Sequence, residues 1–100
     1  METQGQSALK ERVKVKEPDL YDVILLNDDF TTMDFVVMVL RQVFFKTDQD
    51  AEKIMLDVHK KGAGVAGTYT YDIARSKVSK AQRMAREAGF PLRFKIKKQA

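Results

Sequence analysis

The chain has 100 residues, 18 of them Lys or Arg against 14 Asp or Glu, with no cysteine and 44% hydrophobic residues. That length allows one compact core, and the balance of apolar and charged residues is that of an ordinary soluble protein. The lack of cysteine excludes disulfides and thiolate metal sites and fits a reducing cytoplasm. No apolar run approaches the roughly 20 residues that span a bilayer, and no secretory signal is expected.

The net charge of +4 conceals an uneven layout: residues 17–40 carry six acids and no base, whereas residues 75–100 carry nine bases against Glu87 alone. Such a basic half can attract nucleic acid or an acidic partner. However, Lys77, Lys80, Arg83 and Arg86 recur every three or four residues, as the solvated stripe of an amphipathic helix does.

Residues 1–18 are polar, lack periodicity and end at Pro18; they are expected to form a flexible tail before a single core domain at residues 19–100. A first strand is predicted over about residues 20–26, with Tyr21, Val23 and Leu25 on one face and Ile24 and Leu26 on the other. Thr31 and Asp34 have the spacing of a capping box. A first helix follows over about residues 33–45, with Val36, Val37, Leu40, Val43 and Phe44 at core spacing. A second helix is expected to start at Thr47 or Asp48, to bury Ala51, Ile54, Met55 and Val58, and to stop at Gly62.

Residues 64–70, GVAGTYT, read as a second strand weakened by Gly67. Thr70 can then cap a third helix that buries Ile73, Ala74, Val78, Ala81, Met84 or Ala85, and Ala88, and stops at Gly89 before Pro91. Finally, Leu92, Phe94 and Ile96 alternate with Arg93, Lys95 and Lys97, the pattern of an edge strand buried on one face. The order β-α-α-β-α-β gives an α+β fold, a three-stranded sheet packed against three helices.

The segment at residues 25–35, LLNDDFTTMDF, places Asn27, Asp28 and Asp29 where the first strand hands over to the first helix. Functional groups concentrate at such ends. Asn27 can both accept and donate and an ionised carboxylate only accepts, so the cluster suits a donor-rich ligand such as an amine. The same residues also suit a plain turn in which the side chains bond local backbone. His59, the only histidine, follows Met55 by four residues and borders the apolar face of the second helix near its C-terminal end. One histidine among carboxylates lacks zinc-site spacing, and no Ser or Cys nucleophile stands in a recognisable motif. No metal, cofactor or catalytic residue is expected.

Taken together, LLNDDFTTM, His59 and the run HKKGAGVAGTYTYDIARSKV at residues 59–78 resemble, in order and spacing, the bacterial ClpS family. These are adaptors that bring proteins with destabilising N-terminal residues to the Clp protease. The resemblance implies a three-stranded antiparallel sheet with three helices. It also implies that Asn27, Asp28 and His59 hold a substrate's α-amino group, Asp28 partly through water, and that the Thr31 backbone meets the substrate's main chain. A free α-amino group is mostly ammonium at neutral pH, and carboxylate, amide oxygen and neutral imidazole suit it as acceptors.

Leu25, Met33, Val36, Met55, Val58 and Leu92 match positions that enclose a Phe, Tyr, Trp or Leu side chain, with Met33 as gatekeeper against Ile and Val. Tyr71, Asp72 and Lys77 match positions that dock on the N-terminal domain of the ClpA unfoldase. The tail of residues 1–18 matches an extension used in handing over substrate. Many members carry Pro before the gatekeeper where this chain has Thr32, which implies a less rigid helix start.

The implied protein is a cytoplasmic adaptor, not an enzyme. Its partners would be a ClpA-type AAA+ unfoldase and N-degron proteins or peptides beginning with Phe, Tyr, Trp or Leu, with neither nucleic acid nor membrane among them. Charge alone supports a competing reading, a small basic nucleic-acid or ribosome-associated module using residues 75–98. Salt separates the two, because phosphate binding weakens steeply with ionic strength and amine capture only modestly.

Overall fold

The structure is a computed structural model that describes residues 17–100. The expected tail lies, apart from Glu17 and Pro18, outside the described residues. Six elements follow in chain order: β1 (Tyr21–Leu26), α1 (Met33–Gln42), α2 (Asp48–Lys61), β2 (Ala63–Tyr69), α3 (Tyr71–Ala88) and β3 (Arg93–Lys98). The sheet has the order β2-β1-β3 and is antiparallel throughout, so the first strand in sequence is the middle one. Element order and fold class are those expected from the sequence.

Alternation in β1 sends Val23 and Leu25, both fully buried, into the core, while Ile24 and Leu26 stay half-buried on the other face. The β1–β2 register shifts between Val23 and Ile24, which pair with Gly67 and Val65 and leave Ala66 over as a bulge. Gly67 is glycine because the Tyr69 ring occupies the space a Cβ would take. The residue expected to weaken the strand therefore marks a close approach.

α1 begins differently from the capping-box spacing. Thr32 is the N-cap and its hydroxyl accepts from the Phe35 N–H at 3.2 Å, while Thr31 donates its hydroxyl to Asp28. The helix start that the resemblance made less rigid is thus held by a cap bond. α1 also closes at Gln42, short of residue 45. Phe44 turns into the core, and Phe45 stands 78% exposed at a φ of 53°. The Lys46 N–H reaches back to the Leu40 carbonyl at 3.0 Å and ends the turn.

α2 starts where Thr47 accepts from the Asp50 N–H at 3.1 Å and ends at Gly62, whose φ of 89° suits glycine. α3 packs across all three strands and buries Ala74, Ala81 and Ala85, small residues that let its backbone approach the sheet. Ile73 and Ala88, expected in the core, are exposed instead. Ile73 precedes Ala74 by one residue and is therefore rotated about 100° from the contact line. Thr70 occupies the N-cap position without a side-chain bond. Among the described residues, no helix is long and apolar enough to cross a membrane.

Candidate functional site

The last pair of the β1–β2 ladder is Leu26 with Ala63, and the next residue on each strand continues the contact: the Asn27 N–H donates to the Gly62 carbonyl at 3.0 Å. This bond joins the end of β1 to the end of α2. His59 lies three residues before Gly62, so the same junction brings it to the Asn27 turn.

Asp28 organises the rest of that turn. Its Oδ1 accepts from the Phe30 N–H at 2.8 Å and the Thr31 N–H at 2.7 Å, and its Oδ2 accepts from the Thr31 hydroxyl at 2.8 Å. The local-turn reading of Asn-Asp-Asp is therefore correct for Asp28. Burial pushes its pKa up, but the Thr31 backbone, the Thr31 hydroxyl, the Phe30 backbone and the Arg93 charge outweigh this and hold it below the usual carboxylate range. A carboxylate has about four lone-pair sites, and three are in use here. Asp28 thus keeps a full charge at neutral pH and little spare acceptor capacity.

A cavity of about 240 Å3 opens beside this turn, lined by Asn27, Asp28, Asp29, Thr31, Met33, Val36, Met55, Val58 and His59. The turn and the end of α2 give it a polar side rich in acceptors. α1 supplies Met33 and Val36, and α2 supplies Met55 and Val58, at helical spacings of three that put each pair on one face. Met33 is 48% exposed, which leaves it free to move at the rim.

The cavity brings together every expected α-amino and backbone residue and four of the six expected apolar ones. Leu25 and Leu92 do not line it: both are buried in the core cluster. Leu25 alternates with the half-buried Ile24 and Leu26 on β1, so its side chain is committed to the sheet's inner face. Asp29, part of the cluster read from the sequence as suited to an amine but assigned no role by the resemblance, also lines the cavity. Among the described residues, no three of His, Cys, Asp and Glu are grouped to hold a metal ion.

Tyr71, Asp72 and Lys77 lie on α3, away from the cavity lining. The Tyr71 ring packs edge-on against Tyr21 at 5.1 Å, and Asp72 is exposed in the first turn. Lys77 is committed within the fold. Its Nζ donates to the Val43 carbonyl at 2.7 Å and lies 4.4 Å from the Phe45 ring centroid and 5.2 Å from that of Tyr69. Burial, with the nearby Lys80 charge, lowers its pKa from the ordinary value, even though the carbonyl and the rings favour the ammonium form.

A family model described as ATP-dependent Clp protease adaptor protein ClpS matches residues 16–95. The chain belongs to the ClpS family. A ClpS adapter from Acetivibrio thermocellus is 64% identical over 80 residues, covering 80% of this chain and 81% of that protein. One from Deinococcus radiodurans is 53% identical over 90 residues, covering 90% of this chain and 80% of that protein. Among solved structures, Agrobacterium tumefaciens ClpS2 bound to L-phenylalaninamide matches with a TM-score of 0.79 and 38% identity, over 83% of this chain and all of that one. Membership fixes the broad role as that of a ClpS adaptor of the Clp protease.

Proposed function

We propose that this ClpS chain captures the free α-amino group and the bulky apolar side chain of an N-terminal Phe, Tyr, Trp or Leu, and delivers the bearer to a ClpA-type unfoldase in the cytoplasm. The single observation that carries the reading is that one cavity has acceptors on one side and four apolar side chains on the other. At about 240 Å3 it is smaller than the roughly 300–1,000 Å3 of sites that take whole drug-sized ligands. That size suits one residue at a chain terminus. The ligand of the Agrobacterium relative, L-phenylalaninamide, has the same two chemical halves, an amine and a benzyl group.

In this reading Asn27 and His59 accept from the ammonium directly, and Asp28, whose oxygens are mostly committed, contributes its charge and reaches the ligand partly through water. Thr31 presents its backbone to the second peptide unit. Met33, Val36, Met55 and Val58 form the apolar wall, and Leu25 and Leu92 are left to the core. Burying an aromatic or Leu side chain there contributes about 1.5–3 kcal/mol, roughly a tenfold to hundredfold preference over Ala. Tyr71, Asp72 and Lys77 mark the face proposed for the unfoldase, so the protein works by holding two partners and not by catalysis.

The test is fluorescence anisotropy with a labelled peptide beginning with Phe, the same peptide acetylated, and one beginning with Ile. Binding of the first alone is expected, because acetylation removes the charge and leaves acceptors unpaired that the bound chain would cover from water, and because Ile crowds the Met33 wall. Equal binding of all three, or of none, refutes the proposal.

A further inference from the structure

Among the described residues β3 pairs with β1 alone, which leaves one of its backbone edges open there. Cations stand on both sides of that edge. On the outer face of the sheet, Arg93, Lys95 and Lys97 are exposed on alternate residues, about 6.8 Å apart at strand spacing. On the helix side, α3 and β3 enclose a cleft of about 210 Å3 lined by Arg75, Val78, Ser79, Gln82, Arg86 and Ile96. Arg75, Ser79, Gln82 and Arg86 follow one another by four, three and four residues, which makes them a single helical stripe. The two arginines are about 16 Å apart along the axis, with a hydroxyl and an amide between them. Val78 and Ile96, both half-buried, supply apolar surface in the same cleft.

Among the described residues, none of these five cations has a carboxylate within 4 Å; the ion pairs there are Arg41–Asp48, Lys61–Asp57 and Lys98–Asp19. Lysines on an edge strand commonly serve to repel other strands. That duty is met by the outer row alone and gives no reason for two further arginines, with donors between them, across the cleft. A strand flanked by positive charge on both faces repels basic strands and attracts an acidic one.

We infer that the open edge of β3 is a docking strip for an extended acidic segment of a partner protein, which adds as a fourth strand. Its carboxylates would alternate between Arg93, Lys95 and Lys97 on one face and Arg75 and Arg86 on the other. Strand addition satisfies the edge's backbone groups, which a nucleic acid cannot do in register. The outer face of β3 also offers no aromatic ring for a base to stack on, since Phe94 is packed against the core. Residues 1–16 carry four bases and two acids, the wrong sign for this chain to fill its own strip.

The test uses the full chain and a fluorescein-labelled acidic peptide in which adjacent Glu pairs are separated by Val or Thr, so that carboxylates face both sides of the added strand. The peptide is acetylated so that it offers no free amine. A counterpart with Lys in place of Glu and a single-stranded thymidine 20-mer serve as controls. The acidic peptide is expected to bind and to slow amide exchange within residues 93–98. The double substitution Lys95→Glu and Lys97→Glu should weaken it about tenfold or more, and Arg86→Glu should weaken it by a smaller factor. All three positions are exposed, and a thermal melt confirms that each variant is folded. The inference is overturned if the basic peptide binds equally, if the charge reversals change nothing, or if binding leaves β3 exchange unaltered. It is also overturned if the oligonucleotide binds and the peptide does not. Because the probe has no free amine, each result stands apart from capture at the Asn27–His59 cavity.

Discussion

Asp28 shows how one side chain can both organise a turn and line a cavity. Its lowered pKa has a definite sign: the stability it gives the turn is fully present above the ordinary carboxylate value of about 3.9 and is lost only as pH falls through the lower folded value. Asp28 therefore stays charged throughout the range near neutrality. Protonation of Asp28 therefore does not weaken Phe-peptide binding between about pH 7 and pH 5. An anisotropy titration should instead show binding lost above about pH 8, where the ligand amine deprotonates, and His59→Ala should weaken Phe-peptide binding at neutral pH by removing one acceptor. Unchanged affinity in His59→Ala removes His59 from the list of acceptors. The half-exposed Met33 sets a second expectation: Met33→Ala should admit peptides beginning with Ile and Val, and unchanged rejection would show that the wall behind it decides the matter. That the Asn-Asp-Asp cluster, Met33 and His59 come together was legible in the sequence, and they line one cavity. What was not legible is which of two adjacent threonines caps α1, because Asp28 takes the Thr31 hydroxyl and leaves the cap to Thr32, a contest between neighbours that spacing cannot resolve.

The elements were legible wherever side chains alternate strongly, as in β1 and β3, or wherever a glycine stops a helix, as at Gly62 and Gly89. They were misread where tertiary contacts decide. α1 has no glycine or proline near its end, and its last carbonyls are satisfied by the Lys46 backbone and by Lys77, 34 residues away from Val43. Substituting Lys77→Met should cost about 1–2 kcal/mol by leaving the Val43 carbonyl without that partner, a fall in Tm of roughly 4–8 °C per kcal/mol. An unchanged melting curve would mean that water replaces the ammonium at no cost. α3 was read correctly at Ala74 and Ala81 and wrongly at Ile73: its contact line is made of alanines, which signal burial weakly, so the larger Ile73 was added to it. By contrast, Leu40 is fully buried between well-formed elements, and Leu40→Ala should destabilise the domain by about 2–5 kcal/mol in urea unfolding.

At the scale of the whole molecule, strand order was the part the sequence left open. Alternation marks three strands but not which of them lies in the middle, and here it is the first, flanked by the second and the last. A chain cut after Leu92 should therefore lose more than an edge: β1 would be left with an unpaired side, and loss of ellipticity together with larger species on size exclusion should follow. If the shortened chain stays folded and monomeric, β3 contributes little to the fold. The same arrangement makes the pairing distant, since Gln99 reaches a residue 77 positions back at Asp22. Such non-local closure slows folding. It also has a consequence for synthesis on the ribosome. At roughly 5–20 residues per second, about 4 to 14 s separate the appearance of β1 from that of β3. For that interval the future middle strand has an open side, with Ile24 and Leu26 among its residues, and the basic strand that will cover it is the last to be made.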